Sequence, residues 1–262
     1  MGTPKAPTIL DVRRDAIRAA EPRLVPGART LAEADLTPER LAAIAADLSG
    51  PVVVVCAEGH RLSQGTAAWL RHEGVQAEYL LGGQAAWLAA SLPLIDPAKV
   101  TARDGQGRSL WVTRSRPKID RIACPWLIRR FIDPRAVFLF VAPAEVEGVA
   151  ERFGAIPYDI EGVFWSHREA LCTFDALLSE FGLSTPALDR LAQIVRGADT
   201  ARLDLAPESA GLLAASLGLS RMYSDDLAQL EAGIALYDAF YRWARDATDE
   251  QHNWPTNSGK SK

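Results

Sequence analysis

The chain has 262 residues, 48% hydrophobic and 24% charged, with a formal net charge of −4. That length predicts one large or two ordinary domains with ample apolar residues for a core. The acidic balance argues against a chain that wraps nucleic acid as a whole, and no apolar run is long enough to span a bilayer.

Residues 1–7 are a Pro-rich start. The pattern then predicts strands at Thr8–Val12, Pro51–Val55 and Ala77–Leu80, alternating with helices at Thr37–Leu48, Ser63–Glu73 and Gln84–Ala90. Such β/α alternation implies a parallel sheet, hence an α/β first half. Between Pro93 and Arg108 the pattern dissolves into Asp96-Pro97 and Asp104-Gly105-Gln106-Gly107. A boundary is expected there, giving a domain at 1–98, a linker at 99–108 and a second domain at 109–248. The second half predicts strands at Leu110–Arg114 and Val137–Val141. Helices follow at Ile119–Ile132, Ala144–Phe153, Thr173–Phe181, Pro186–Gly197, Pro207–Leu217 and Asp225–Arg245, a mainly α (α+β) unit. Leu227, Leu230, Ile234, Tyr237, Phe240 and Tyr241 recur at helical spacing and read as core. Residues 249–262 read as a disordered tail with a solvated His252. Cys56, Cys124 and Cys172 form no Cys-x-x-Cys pair, and the N-terminus has no apolar signal core. Reduced thiols and a cytoplasmic location are expected. Cys124, before Pro125 in an apolar helix, is expected to be buried.

The segment Val52-Val53-Val54-Val55-Cys56-Ala57-Glu58-Gly59-His60-Arg61-Leu62-Ser63 carries the most chemistry. Four β-branched residues predict a buried strand, and Cys56 stands where it ends. A loop leading into a helix N-terminus collects unpaired backbone N–H groups, which favour an anion and lower a thiol pKa. The plainer reading makes Cys56 a small apolar residue closing a strand. Glu58 sets a carboxylate beside the would-be thiolate, and His60 is either a solvated loop residue or a catalytic one.

Leu10-Asp11-Val12-Arg13, Val25-Pro26-Gly27-Ala28, Cys56-x-x-Gly59-x-Arg61 and Leu81-Gly82-Gly83-Gln84-Ala85-Ala86-Trp87 occur in that order. Together they resemble the rhodanese (sulfurtransferase) family over roughly residues 6–95. The resemblance implies an α/β rhodanese-like domain in which Cys56 is the nucleophile and carries a persulfide. Arg61 would hold the donor anion. Ala57, Glu58, Gly59, His60, Leu62 and Ser63 would complete the active loop, with Asp11 and Arg13 as support. The implied partners are a sulfane-sulfur donor and a thiol or other thiophilic acceptor, and no cofactor is required. Two departures stand out: Arg23-Leu24 replace the Gly-His usual before the Pro-Gly-Ala turn, and the loop is one residue longer, with Leu62 before Ser63. Longer loops in this fold accompany phosphatase-type and arsenate-reductase-type relatives.

The segments Trp111-Val112-Thr113-Arg114-Ser115-Arg116-Pro117-Lys118-Ile119-Asp120-Arg121, Phe164-Trp165-Ser166-His167, Cys172-Thr173-Phe174-Asp175 and Arg196-Gly197-Ala198-Asp199 resemble the C-terminal domain of the chromate-resistance protein family. This implies a role in chromate or related oxyanion stress. From the residues alone, positions 103–135 hold nine basic and three acidic side chains. Arg114 and Arg116 share a strand face by period-two alternation, with Arg121 following on the next helix. Such a guanidinium cluster suits a tetrahedral oxyanion such as chromate; a salt-bridged, solvated face is the alternative. His167, Cys172, Asp175 and Asp199 form an N/O/S set able to bind a transition metal, although their spacing matches no standard zinc pattern. A structural histidine and helix-capping acids, with Thr173 as an N-cap, are the other account. The expected whole is a rhodanese-type sulfurtransferase coupled to a chromate/oxyanion-resistance domain. The alternative is a non-catalytic oxyanion sensor or transcriptional regulator.

Overall fold

The computed structural model describes residues 2–250. The tail expected at 249–262, with His252, lies almost wholly outside them. The chain runs β1 (Thr8–Asp11), α1 (Asp15–Ala20), β2 (Ala28–Thr30), α2 (Pro38–Ala46), β3 (Val52–Val55), α3 (Arg61–His72), β4 (Ala77–Tyr79) and α4 (Gly83–Ala89). All pairings in the first sheet are parallel, in the order β2-β1-β3-β4. The β-branched run Val52–Val55 occupies an interior strand, between β1 and β4, as its unbroken apolar character requires. Thr37 caps α2 through its side chain, with Pro38 in the first turn where its missing N–H costs nothing. The helix α1 and the three-residue strand β2 are additions to the sequence reading.

The second half continues with β5 (Leu110–Arg114), α5 (Asp120–Leu127), β6 (Val137–Val141), α6 (Val146–Phe153), β7 (Ile156–Pro157), α7 (Thr173–Phe181), α8 (Pro186–Asp199), α9 (Ser209–Met222) and α10 (Asp226–Asp246). Its small sheet, ordered β6-β5-β7, is also parallel. The two-residue strand β7 carries too little pattern to be read from sequence. A single helix expected over Ile119–Ile132 is instead α5 followed by one π-helical turn, Ile128–Ile132. Pro125 supplies one reason for irregularity, since it cannot donate to the Arg121 carbonyl. The Tyr158 hydroxyl donates to that oxygen instead, at 3.4 Å.

Trp126 of α5 is fully buried at the centre of this half. Its ring meets Phe131, Phe174, Tyr237 and Tyr241, joining α5, α7 and α10. Its indole N–H donates to Asp238 Oδ1 at 2.9 Å, and Arg130 binds both oxygens of the same carboxylate. A buried tryptophan is thereby satisfied without leaving a bare charge. Cys124 is buried beside it in sequence, as expected.

The connector between the sheets is not loose. Leu24 and Ile95 exchange two antiparallel backbone hydrogen bonds of 2.8 Å. Ile95 and Val100 pack into the core of the second half. Lys99 Nζ donates to the Glu180 carbonyl on α7, and Gly27 N–H donates to the Phe131 carbonyl at 2.6 Å. Among the described residues no helix is long and apolar enough to cross a membrane.

Candidate active site

Cys56 directly follows β3 and is buried. The loop is Cys56–His60, because α3 begins at Arg61 and not at Ser63. The first turn closes early: Gln64 N–H donates to the His60 carbonyl at 3.0 Å, and its side-chain amide reaches the Gly59 carbonyl at 3.0 Å. Arg61 and Leu62, expected before the helix, therefore lie on it with Ser63. The first turn of α3 thus brings Ser63 to the sulfur.

Ser63 Oγ lies 3.0 Å from Cys56 Sγ and 3.1 Å from the His60 carbonyl. Its single proton serves one of these at a time, so ionising the sulfur gives the hydroxyl a better acceptor. Burial pushes the Cys56 thiol up. The Ser63 hydroxyl and the loop backbone at Ser63, Glu58 and His60 outweigh it and hold the thiol below its ordinary 9.0.

The loop is held from beneath by α4. Gln84 and Ala85 N–H groups donate to the Cys56 and Ala57 carbonyls, each at 2.9 Å. The approach is so close that a Cβ on Gly83, at φ +57°, would stand 2.4 Å from the Cys56 oxygen. A Cβ on Gly59, at φ +74°, would stand 2.6 Å from Gly82 N. Both positions need glycine for space and for backbone angle.

Asp11 and Arg13 sit beside this assembly as a buried pair, 2.7 Å apart. The guanidinium also donates to the carbonyls of Glu21 and Arg23, and Gln84 donates to the same Arg23 carbonyl. The pair thus braces β1 against the segment that contacts α4. Glu58 and His60 are exposed, with Nδ1 3.3 Å from Oε2. Arg61 is exposed on the first turn of α3.

The second half holds a separate polar cluster. His167 Nε2 lies 3.1 Å from Asp199 Oδ2, 3.4 Å from Asp159 Oδ1 and 3.6 Å from Asp120 Oδ2. Asp159 and Asp199 push the imidazole up to about 10. Burial, then the charges of Asp199 and Asp159, push the Asp120 carboxyl up. Of the four residues expected as an N/O/S set, only His167 and Asp199 meet in this way. Asp175 accepts from the Cys172 N–H at 3.0 Å and from its thiol at 3.2 Å, and pairs with Arg196 at 2.8 Å. Cys172, not Thr173, is the N-cap of α7. Burial pushes its thiol well above the ordinary range, which removes thiolate character. Thr173 is instead the first residue of the helix, its hydroxyl donating to Asp159 at 2.8 Å.

Neither Asp120 nor Asp159 belongs to the set expected to hold a metal. Asp120 looks like an ordinary first-turn acid, and Asp159 lies in a turn with φ +52°. A sequence signal existed for Asp120, an acid in the otherwise apolar stripe of Ile119, Ile122, Ala123 and Trp126. Arg114 and Arg121 do reach this cluster, 3.6 Å and 3.3 Å from Asp159 Oδ2. Arg116 does not. It lies beyond the end of β5 at φ +59°, its guanidinium bound to the Ser220 and Tyr223 carbonyls and its N–H to Asp226. The alternation that would have kept it with Arg114 stops with the strand.

Comparison with known proteins agrees with both halves. A rhodanese-like domain matches residues 1–90, and the ChrB C-terminal domain matches residues 111–244. The chain is also 35% identical over 161 residues to "Protein ChrB" of Cupriavidus metallidurans, covering 61% of this chain and 46% of that protein. It therefore spans about half the length of that curated relative. The parallel α/β first half, the mainly helical second half and these matches converge: the chain belongs to the ChrB C-terminal domain family and carries a rhodanese-like domain ahead of that second half.

Proposed function

We propose that the protein is a cytoplasmic sulfurtransferase acting in chromate or related oxyanion stress. The Cys56 thiolate attacks the outer sulfur of a sulfane donor such as thiosulfate. The donor S–S bond breaks, a Cys56 persulfide forms and sulfite leaves with the bond pair. An acceptor thiolate then attacks the outer persulfide sulfur, takes it as its own persulfide and returns Cys56 as thiolate. The observation that carries this reading is the Ser63 hydroxyl 3.0 Å from Cys56 Sγ, joined by loop backbone that favours the thiolate. These donors stabilise sulfur anions on either side of the transfer, as preorganised dipoles do at other developing charges. Arg61, on the turn above, supplies a guanidinium for the donor anion.

Incubation with thiosulfate should add the mass of one sulfur, ~32 Da, in a form removed by reductant, as for a persulfide. Cys56→Ser should abolish both the adduct and thiosulfate:cyanide turnover. Failure to form an adduct with any sulfane donor, together with phosphatase or arsenate-reductase turnover, would transfer the site to the longer-loop relatives. A second reading is a non-catalytic oxyanion sensor or regulator, favoured by Arg114, 42% exposed beside Asp159. Chromate-induced change without sulfur turnover would select it.

A further inference from the structure

We propose that Asp120, His167 and Asp199 form a binding site for one divalent first-row transition-metal cation. The site is distinct from Cys56 and does not depend on its chemistry. One potential ligand atom from each residue lies within 4.8 Å of the other two, a spacing that one ion can bridge.

Three features favour an ion over a simple salt bridge. First, His167 Nε2 faces three carboxylates but carries at most one proton. That proton can serve the 3.1 Å contact with Asp199; the 3.4 and 3.6 Å contacts are long for hydrogen bonds. Second, Asp120 is fully buried and its Oδ1 has no hydrogen-bond partner. A bare carboxylate oxygen in the interior is costly unless something positive approaches it. Third, the other oxygens are already held by the scaffold. Asp120 Oδ2 accepts from the N–H groups of Thr173 and Phe174 at the start of α7. Asp199 Oδ1 accepts from the Asp120 N–H at 3.4 Å. Backbone tethers of this kind orient carboxylates for an ion.

Charge selects the ion class. Asp159 lies beside the site but is matched by Arg121 and Arg114 on its Oδ2 side. Asp120 and Asp199 have no such guanidinium, so a dication that displaces the Asp120 proton meets two negative charges. One imidazole with two carboxylates suits manganese, iron(II), cobalt or zinc better than magnesium or calcium, which prefer oxygen alone. Asp159 and Thr173 are then positioning residues, linked by the 2.8 Å hydroxyl contact. The His167 side chain, 41% exposed, gives the ion a route from solvent.

The test uses the full chain, stripped with chelator and dialysed separately against manganese(II), cobalt(II) and zinc(II). Elemental analysis should find about one ion per chain with at least one of them, a single site in the sense above. Cobalt, where bound, should give a visible spectrum. His167→Ala and Asp199→Asn should each weaken binding tenfold or more while keeping the wild-type circular dichroism. Asp120→Asn is a poorer probe because that side chain also holds the start of α7. Should one of the two variants fail to fold, the other decides. No retention of any of the three ions by the wild-type protein would overturn the proposal. So would unchanged affinity in a folded His167→Ala or Asp199→Asn protein.

Discussion

Replacing Gly83 by alanine should damage the Cys56 loop through the backbone alone. The residue lies at φ +57°, which costs an L side chain roughly 1–2 kcal/mol. Its new Cβ would stand 2.4 Å from Cys56 O, 2.6 Å from Gly59 N and 2.7 Å from Ala57 C. All three neighbours are backbone, so no side chain can swing aside, and overpacking of this kind adds about 1–3 kcal/mol. The total of about 2–5 kcal/mol corresponds to a fall in Tm of roughly 10 °C or more for a domain near 100 residues. The loop should also lose its donor geometry, so Cys56 should alkylate more slowly with iodoacetamide at neutral pH. Gly65→Ala is the control: it lies in α3, and nothing stands within 4 Å of its would-be Cβ. That change should be neutral or stabilising by about 0.5–1 kcal/mol. A Gly83→Ala protein with wild-type Tm and wild-type alkylation would refute the account of α4 as the floor of the loop.

Three other substitutions separate the parts of the site. Ser63→Ala should raise the Cys56 pKa, because it removes a donor to sulfur. The wild-type alkylation profile should have its midpoint below 9.0 and shift upward in the variant, so its thiolate fraction at neutral pH falls; coincident profiles would show that the backbone donors suffice. Arg61→Ala should lower kcat/KM for thiosulfate by roughly tenfold or more at unchanged Tm, since one charge-assisted hydrogen bond is worth about 1.5–3 kcal/mol. Wild-type kinetics would mean that the guanidinium points away from the donor. Arg13→Met should destabilise by about 3–5 kcal/mol, because the Asp11 carboxylate is left buried and unpaired. A urea midpoint within error of wild type would disprove that assignment.

The legible parts of the chain were those in which local chemistry and tertiary role coincide. Val52–Val55 is β-branched and buried in an interior strand, so pattern and position say the same thing. The bounds of α7 follow from its apolar face and from Gly182, which ends it at φ +64°. Cys56 could be placed at a strand end because the strand was clear. The acid–histidine cluster was only half legible. His167 and Asp199 stand out as residue types, but Asp120 and Asp159 come from separate elements and converge only after β5, β7 and α7 have packed. Arg116 shows the opposite case: period-two spacing projected it onto the wrong partners because the strand ends two residues earlier. The short strands β2 and β7 depend on their neighbours for definition and have no autonomous pattern.

The connector's double allegiance bears on how this protein can be taken apart. Ile95 is hydrogen-bonded to Leu24 on one side and packed with Val100 in the opposite core on the other. A second half severed after these residues would begin with a vacant apolar socket, and a first half severed before them would lose the partner of Leu24. Each contact can be satisfied by only one fragment, so no cut through this stretch yields two intact products. For gene splitting or recombination, the useful inheritance unit is therefore the joined chain, with residues 95–100 belonging to both of its parts.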